Sequence, residues 1–480
     1  MPSAAWSAIS LAAAFGAASS TFAVASPLSS RTSVTRDVGK RGEYITVPIK
    51  RRNPDTLARR DAESYHRKAT ALRNKYGGTA PNAVDSAGKP VRGKKRQHSI
   101  DMTSYQDSEW YGEIDVGTPA SGFSVVLDTG SADLILAEPN CQGCQTNTPG
   151  YQPSSSSTSS TAESNFQIQY GSGSASGSLV KDSVSIANYT QPNQIFAACD
   201  VMNNIVDGTI SGILGFGWQS IASSGALPLV ESLWKNNTLP EPVFGFAFET
   251  HTFYTNSAPT APGGSLTIGG LDTSKYTGSI NWIELDQPVG YWSIPLQDIS
   301  VGGTSLGISD DQVVIDTGTT LIGMPTADVE KVYSSIPNSR QVNLQGQTGY
   351  YAFPCSQTVD VSLSFGGQKY QIASSQFNAG AVDSTGQYCL GAIFALETGS
   401  SSAISYIFGD AFLTGVYSAY RFDPPAVGFA QLGSGGNANT DASATSSKAT
   451  SAAPRSSTLS KSTTALVALT VTAVGAFVLA

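Results

Sequence analysis

The chain has 480 residues, a formal net charge of −8 and only 13% charged side chains, against roughly 25% in an average soluble domain. Its 48 glycines and abundant Ser and Thr predict an all-β protein of two or three domains, not a helical bundle. Residues 1–25 carry no charge, residues 26–96 hold 18 basic and 6 acidic side chains, and residues 97–480 hold 10 basic and 30 acidic; the larger part would repel phosphate, so nucleic acid is excluded as a partner of the whole chain.

In chain order, residues 4–18 are apolar and Ala-rich, and Ala23-Val24-Ala25 offers a small-x-small cleavage pattern. Residues 1–25 are therefore expected to be a secretory signal peptide, with a buried helix as the competing reading. Residues 26–96 carry basic pairs at Lys50-Arg51, Arg59-Arg60 and Lys95-Arg96, after which the composition turns apolar and acidic. That is the pattern of a pro-segment cut at a basic pair. A nucleic-acid or membrane-binding arm competes with it. In a secreted chain with an acidic remainder, intramolecular pairing is favoured, and the segment would act as the protein's own inhibitor by covering an acidic cleft.

Residues 97–432 form the core and contain a repeat. Val125-Val126-Leu127-Asp128-Thr129-Gly130 returns 188 residues later as Val313-Val314-Ile315-Asp316-Thr317-Gly318. Each copy is an apolar, β-rich run that delivers an Asp to its end, followed by a turn-forming Gly. Gly212-Ile213-Leu214-Gly215 follows the first copy and Ile407-Phe408-Gly409 the second. The period far exceeds 50 residues, so the repeat implies a duplicated lobe and not a solenoid. Between the copies, Phe166-Gln167-Ile168-Gln169-Tyr170 alternates apolar and polar, a Gly/Ser-rich stretch from Gly171 to Gly177 follows, and Leu179-Val180 resumes. This predicts a hairpin with a flexible tip. A phosphate loop is excluded, since no Lys and no helix follow the glycines.

Five Cys stand at 141, 144, 199, 355 and 389, and secretion favours disulfides among them. Asn188-Tyr189-Thr190 and Asn236-Asn237-Thr238 are glycosylation sequons. With three His in the chain, neither a Ser/His/Asp triad nor a His-rich metal site is supported, and no metal or cofactor is expected. Residues 433–464 form a Ser/Thr-rich stalk that cannot bury a core. Residues 465–480 are an uncharged, mostly apolar tail, short of the about 20 residues that span a bilayer. Small residues at Ser451-Ala452-Ala453 with a polar spacer and this tail match a GPI-anchor signal, a plain tail anchor being the competing reading. Ser451 is the expected attachment residue.

One Asp from each half suits a specific chemistry. Two carboxylates about 3 Å apart cannot both ionise. One keeps its proton and donates; the other accepts. A water between them meets a general base, and a substrate carbonyl meets a general acid. That hydrolyses an amide with neither metal nor covalent intermediate. Thr in the second place of each triplet can tie the two loops together, and Gly in the third lets backbone N–H groups approach the carboxylates.

Here the chain closely resembles the pepsin-like aspartic proteases over residues 105–431. The resemblance runs through Trp110-Tyr111-Gly112-Glu113-Ile114-Asp115-Val116-Gly117-Thr118-Pro119, both Asp-Thr-Gly motifs, Gly290-Tyr291-Trp292 and Phe408-Gly409-Asp410-Ala411-Phe412-Leu413. With the signal, pro-segment and tail, it resembles the yapsin-type, GPI-anchored fungal members. The resemblance implies a bilobal all-β fold, lobes at 97–276 and 277–432, and a cleft between them. It implies Asp128 and Asp316 as catalytic dyad, with Thr129, Gly130, Ser131, Thr317, Gly318 and Thr319 in support. Tyr170, Gly171, Ser172 and Gly173 match the flap that closes over a peptide. Disulfides Cys141–Cys144 and Cys355–Cys389 are implied, leaving Cys199 over. The family's usual Trp partner of the flap Tyr is replaced by Ile135. The expected protein is a monomeric, acid-active endopeptidase at the cell surface or cell wall, acting on proteins or peptides. A catalytically silent binding protein of the same fold is the rival; the intact dyad positions and flap Tyr argue against it.

Overall fold

A computed structural model describes residues 44–52, 62–79, 110–170, 173–206, 208–249, 260–286, 290–398 and 404–433. The expected signal peptide, the pair Lys95-Arg96, the expected flap residues Gly171 and Ser172, most of the expected stalk, Ser451 and the apolar tail lie outside those residues.

Both Asp-Thr-Gly motifs are launched from strands that are buried on both faces. Val125 to Asp128 are all buried at the end of strand Ser121–Asp128. Val313, Val314 and Ile315, which end strand Asp310–Ile315, are fully buried. Such continuous apolar runs suit parallel pairing inside a covered sheet. Burying each of these side chains contributes about 1.5–3 kcal/mol. Their partners are the downstream segments of the repeat. Gly212–Gly215 runs parallel to Ser121–Asp128, with Asp128 opposite Gly215, and antiparallel to Leu134–Gln142. Tyr406–Phe408 runs parallel to Asp310–Ile315, with Ile315 opposite Phe408, and antiparallel to Ile322–Met324. In each half the strand before the motif and the strand after it are held apart by a third strand, which leaves the Asp at an open end.

The first half contributes to a 13-stranded sheet, and the second motif lies in a five-stranded one. The last strands return to the large sheet, Val416–Phe422 beside Val243–Phe248 and Pro425–Leu432 beside Tyr276–Glu284. Fully buried Trp292 anchors the aromatic core between the halves and donates its Nε1 to the Phe216 carbonyl at 2.9 Å. The all-β, pepsin-like class expected from the sequence is the class observed.

The basic segment departs from that pattern in one respect. Strand Ile45–Arg52 joins the large sheet between Thr260–Ile268 and Trp110–Val116, with Val47 and Ile49 buried and Thr46 and Pro48 exposed. A helix, Ala62–Lys75, follows it. Tyr65, Ala69, Leu72 and Tyr76 recur at i, i+4, i+7 and i+11 and are all buried. Glu63 in the first turn and Arg73 and Lys75 in the last suit the helix dipole. Composition of the whole chain did not announce this helix, because 14 residues weigh little in it.

Candidate active site

Asp128 and Asp316 stand at the ends of equivalent strands and face each other, close enough for one ammonium, Lys75 Nζ, to reach both carboxyls at 2.9 Å. Both are almost wholly buried. Around them each triplet repeats the same contacts. The Gly130 N–H donates to Asp128 Oδ1 at 2.9 Å and the Gly318 N–H to Asp316 Oδ1 at 2.8 Å. Ser131 Oγ donates to Asp128 Oδ2 at 2.6 Å, and Thr319 Oγ1 donates to Asp316 Oδ2. The glycines are sterically required: a Cβ on Gly130 would fall 2.5 Å from Asp316 Cγ, and one on Gly318 would strike the Asp128 carboxylate.

Thr129 and Thr317 tie the two loops together. The Thr129 N–H donates to Thr317 Oγ1 and the Thr317 N–H to Thr129 Oγ1, each at 3.0 Å. Thr129 Oγ1 donates on to the Ile315 carbonyl at 2.9 Å, and Thr317 Oγ1 to the Leu127 carbonyl at 2.7 Å. All of these groups are buried. Thr317→Val keeps the shape but strands the Thr129 N–H and the Leu127 carbonyl. It is expected to lower the unfolding free energy by about 2–5 kcal/mol, read by chemical denaturation. A loss under about 1 kcal/mol would contradict this reading of the grip.

The end of helix Ala62–Lys75 occupies the pair. Lys75 Nζ lies 2.9 Å from Asp128 Oδ1 and 2.9 Å from Asp316 Oδ2. The Tyr76 hydroxyl donates to Asp316 Oδ2 at 2.8 Å, and its ring packs 5.6 Å from that of Tyr291. Burial alone would lower the Lys75 pKa, but the two carboxylates outweigh it and raise it above the ordinary value. Burial pushes Asp316 up; Lys75 and hydrogen bonds from Asp128 and Thr319 overcome that and hold it at about 2. Asp128 goes the other way, raised by burial and by the neighbouring Asp316 against the pull of Lys75. The environments split two like groups, as acid–base pairing requires.

The expected hairpin is present: Ser160–Gln169 pairs antiparallel with Ser174–Ile186, Gln169 opposite Ser174. The Tyr170 N–H donates to the Gly173 carbonyl at 2.7 Å across the tip. Ile135 is fully buried in the same apolar cluster as Tyr170. The buried Tyr170 hydroxyl finds no hydrogen-bond partner among the described residues. Tyr170→Phe is therefore expected to leave stability unchanged or to raise it by up to about 1 kcal/mol, read by thermal denaturation. A clear loss would mean that the hydroxyl has a partner at the tip.

Elsewhere, Cys141 pairs with Cys144, with Cα atoms 5.5 Å apart, and Cys355 with Cys389 at 4.9 Å. Cys199 is free and buried; burial, with Asp200 and Glu138, pushes its thiol up to about 12, which leaves it unreactive. Asn188 and Asn236 are both exposed. They sit on neighbouring turns, since Asn236 Nδ2 donates to Gln191 Oε1 at 2.9 Å.

A buried carboxyl pair at the junction of two duplicated strand–loop units is an arrangement capable of acid–base chemistry. A family model of eukaryotic aspartyl proteases matches residues 109–432. The chain is 37% identical over 337 residues to major aspartyl peptidase 1 of Cryptococcus neoformans var. grubii, covering 68% of this chain and 69% of that protein. It is 36% identical over 344 residues to an aspartic protease of Phaffia rhodozyma, covering 70% and 80%. With pig pepsin A it shares 30% over 336 residues, covering 69% and 83%. The chain belongs to the eukaryotic aspartyl protease family and is a peptide hydrolase.

Sequence reasoning missed Lys75 and Tyr76, which touch the pair directly. The available signal was the helical spacing of Tyr65, Ala69, Leu72 and Tyr76 inside a block read only for its charge.

Proposed function

We propose that Asp128 and Asp316 hydrolyse peptide bonds through one shared proton. The observation that carries this is the buried, closely facing carboxyl pair with its matched Gly and hydroxyl donors. The ionised carboxylate takes a proton from a bound water as its oxygen attacks the peptide carbonyl carbon. The protonated partner gives its proton to the carbonyl oxygen. The tetrahedral intermediate then collapses: the carboxyl that took the water's proton gives it to the leaving nitrogen as the C–N bond breaks, and its partner recovers a proton from a hydroxyl of the intermediate as the product carbonyl forms. Which Asp plays which part is not assigned, because the pair titrates together. The hairpin carrying Tyr170 and Gly173 would close over the peptide and exclude water. Acid pH favours this cycle, since one proton must stay on the pair.

Residues 26–96 are proposed to be an inhibitory pro-segment; the Lys75 and Tyr76 contacts support that reading. The cleavable N-terminal signal, the two sequons at exposed Asn188 and Asn236, and the Ser/Thr stalk with its apolar tail support a secreted, glycosylated, GPI-anchored monomer of the yapsin type, attached at Ser451. The proposed lobe boundary is 276/277.

Digestion of a denatured protein across about pH 3 to 7 tests the mechanism. Chelator-insensitive cleavage with a bell-shaped pH profile is expected. Cleavage that rises towards neutral pH, or that a chelator abolishes, would overturn it.

A further inference from the structure

The pro-segment helix is also fixed to the second half of the chain by a buried polar cluster that does not include the carboxyl pair. Its centre is the Tyr350 hydroxyl. Arg73 Nη1 donates to that oxygen at 2.5 Å and to Gln347 Oε1 at 3.0 Å. Arg73 Nε and Nη2 both donate to the Ala395 carbonyl, at 3.2 and 2.7 Å. The guanidinium also lies over the rings of Tyr350 and Phe394. One turn of helix and more away, on the same face, His66 Nδ1 sits 3.0 Å from the same Tyr350 hydroxyl. His66, Arg73 and Tyr350 are all buried.

The charges around His66 decide which state the cluster favours. Arg73 can only donate, so the Tyr350 oxygen accepts from it. The hydroxyl hydrogen can go to His66 Nδ1 or to Gln347 Oε1, 3.3 Å away, and the same oxygen can accept from Nδ1 in the other neutral tautomer, so a neutral ring fits in either form. Protonation instead changes the charge. A second positive charge would then share a dry cluster with Arg73, whose partners are carbonyl, amide and hydroxyl oxygens.

We propose that His66 is an acid-sensing positioning residue of the pro-segment, which holds the helix against Tyr350 while neutral and releases it once protonated. This rests on the reading of residues 26–96 as an inhibitor and adds the trigger that reading lacks.

The surroundings agree. Burial first, then the charges of Arg73 and Arg67, lower the His66 pKa from 6.5 to about 4. Arg67 is itself paired with Glu63 at 3.0 Å on the outer face. Among the strands packed on the helix, Ile322–Met324 and Asn378–Ala381 carry no ionisable side chain. Strand Arg340–Leu344 brings Arg340, which lies over the Tyr388 ring. Strand Gln347–Pro354 brings Tyr350 and also Tyr351, which stacks on Tyr333. The sign follows. The released helix has a His of ordinary pKa and the docked one has not, so docking weakens as pH falls below about 6.5 and the loss is complete near 4. Asp316 keeps its charge to about 2, so its contact with Lys75 persists at mild acidity, while Asp128, the other carboxyl that faces Lys75, is raised.

The test uses the full-length chain, acidified stepwise, with the onset of peptide cleavage, normalised to the processed enzyme at the same pH, as readout. In the unaltered chain, onset should quicken about 10- to 100-fold between pH 6.5 and 4. His66→Gln keeps a hydrogen-bonding amide without a titrating charge; this acceleration should vanish, with the processed enzyme equally active. His66→Lys carries its charge throughout and should be active at neutral pH without acidification. A His66→Gln profile that overlays the unaltered one, or a latent His66→Lys chain, overturns the proposal. If the unaltered chain is already active at neutral pH, and Lys75→Met changes nothing, the inhibitor reading itself has failed.

Discussion

Replacing Asp316 by Asn is expected to lower kcat of the processed enzyme at least about 10⁴-fold, and Asp128→Asn to do the same, with the fold intact. Asn matches Asp in size, so the packing around the buried site is kept. The chemistry is not kept. Asp316 Oδ1 accepts the Gly318 N–H, while Oδ2 accepts Thr319 Oγ1. An amide must turn its NH₂ towards one of these donors, which sets donor against donor. It also cannot take a proton from water, nor share one with its neighbour. If the two carboxyls act as base and acid within a single step, as proposed, the two losses are not additive, and the double variant should be about as inactive as either single one. Steady-state kcat and KM on a peptide at acid pH measure this. Activity within about tenfold of the parent enzyme would remove the residue from the reaction.

The duplicated strand–Asp-Thr-Gly unit was legible because chemistry and folding impose the same pattern there. A strand buried on both faces must be continuously apolar, as Val313, Val314 and Ile315 are. A carboxyl pair contacted by backbone N–H groups must have Gly130 and Gly318, where a Cβ would meet the opposite Asp. Ile135 was legible as a departure, and the Tyr170 hydroxyl, without a partner among the described residues, is its physical counterpart. The helix and its anchors were not legible. Lys75 lies 241 residues from Asp316 and Arg73 lies 322 residues from Ala395. Nothing local distinguishes a lysine bound for a carboxyl pair, or an arginine bound for a buried carbonyl, from the other basic residues of residues 26–96. Charge arithmetic gave the sign of the interaction but not its address.

Lys75→Met is expected to deprive the full-length chain of latency, raising its peptidase activity at near-neutral pH about 100-fold or more. Met keeps the aliphatic stem and removes only the ammonium, which sits 2.9 Å from each carboxylate. Without it, the docked helix would cover two buried carboxylates with the Tyr76 hydroxyl as remaining partner. Breaking a buried ion pair on one side costs about 3–5 kcal/mol, and that much docking energy corresponds to a factor of about 100 or more. The pH dependence has a definite sign. Lys75 helps hold Asp316 at about 2, and its carboxyl pKa rises once the ammonium leaves. The undocked state therefore binds more protons, and this share of docking is present at higher pH and lost as pH falls towards about 2. Lys75→Met lacks that share, so its release should keep only the His66 component between 6.5 and about 4. His66→Gln should keep only the lower one, and the double variant should show neither. Latency in Lys75→Met equal to that of the parent chain at neutral pH would mean that the ammonium does not hold the pro-segment in place.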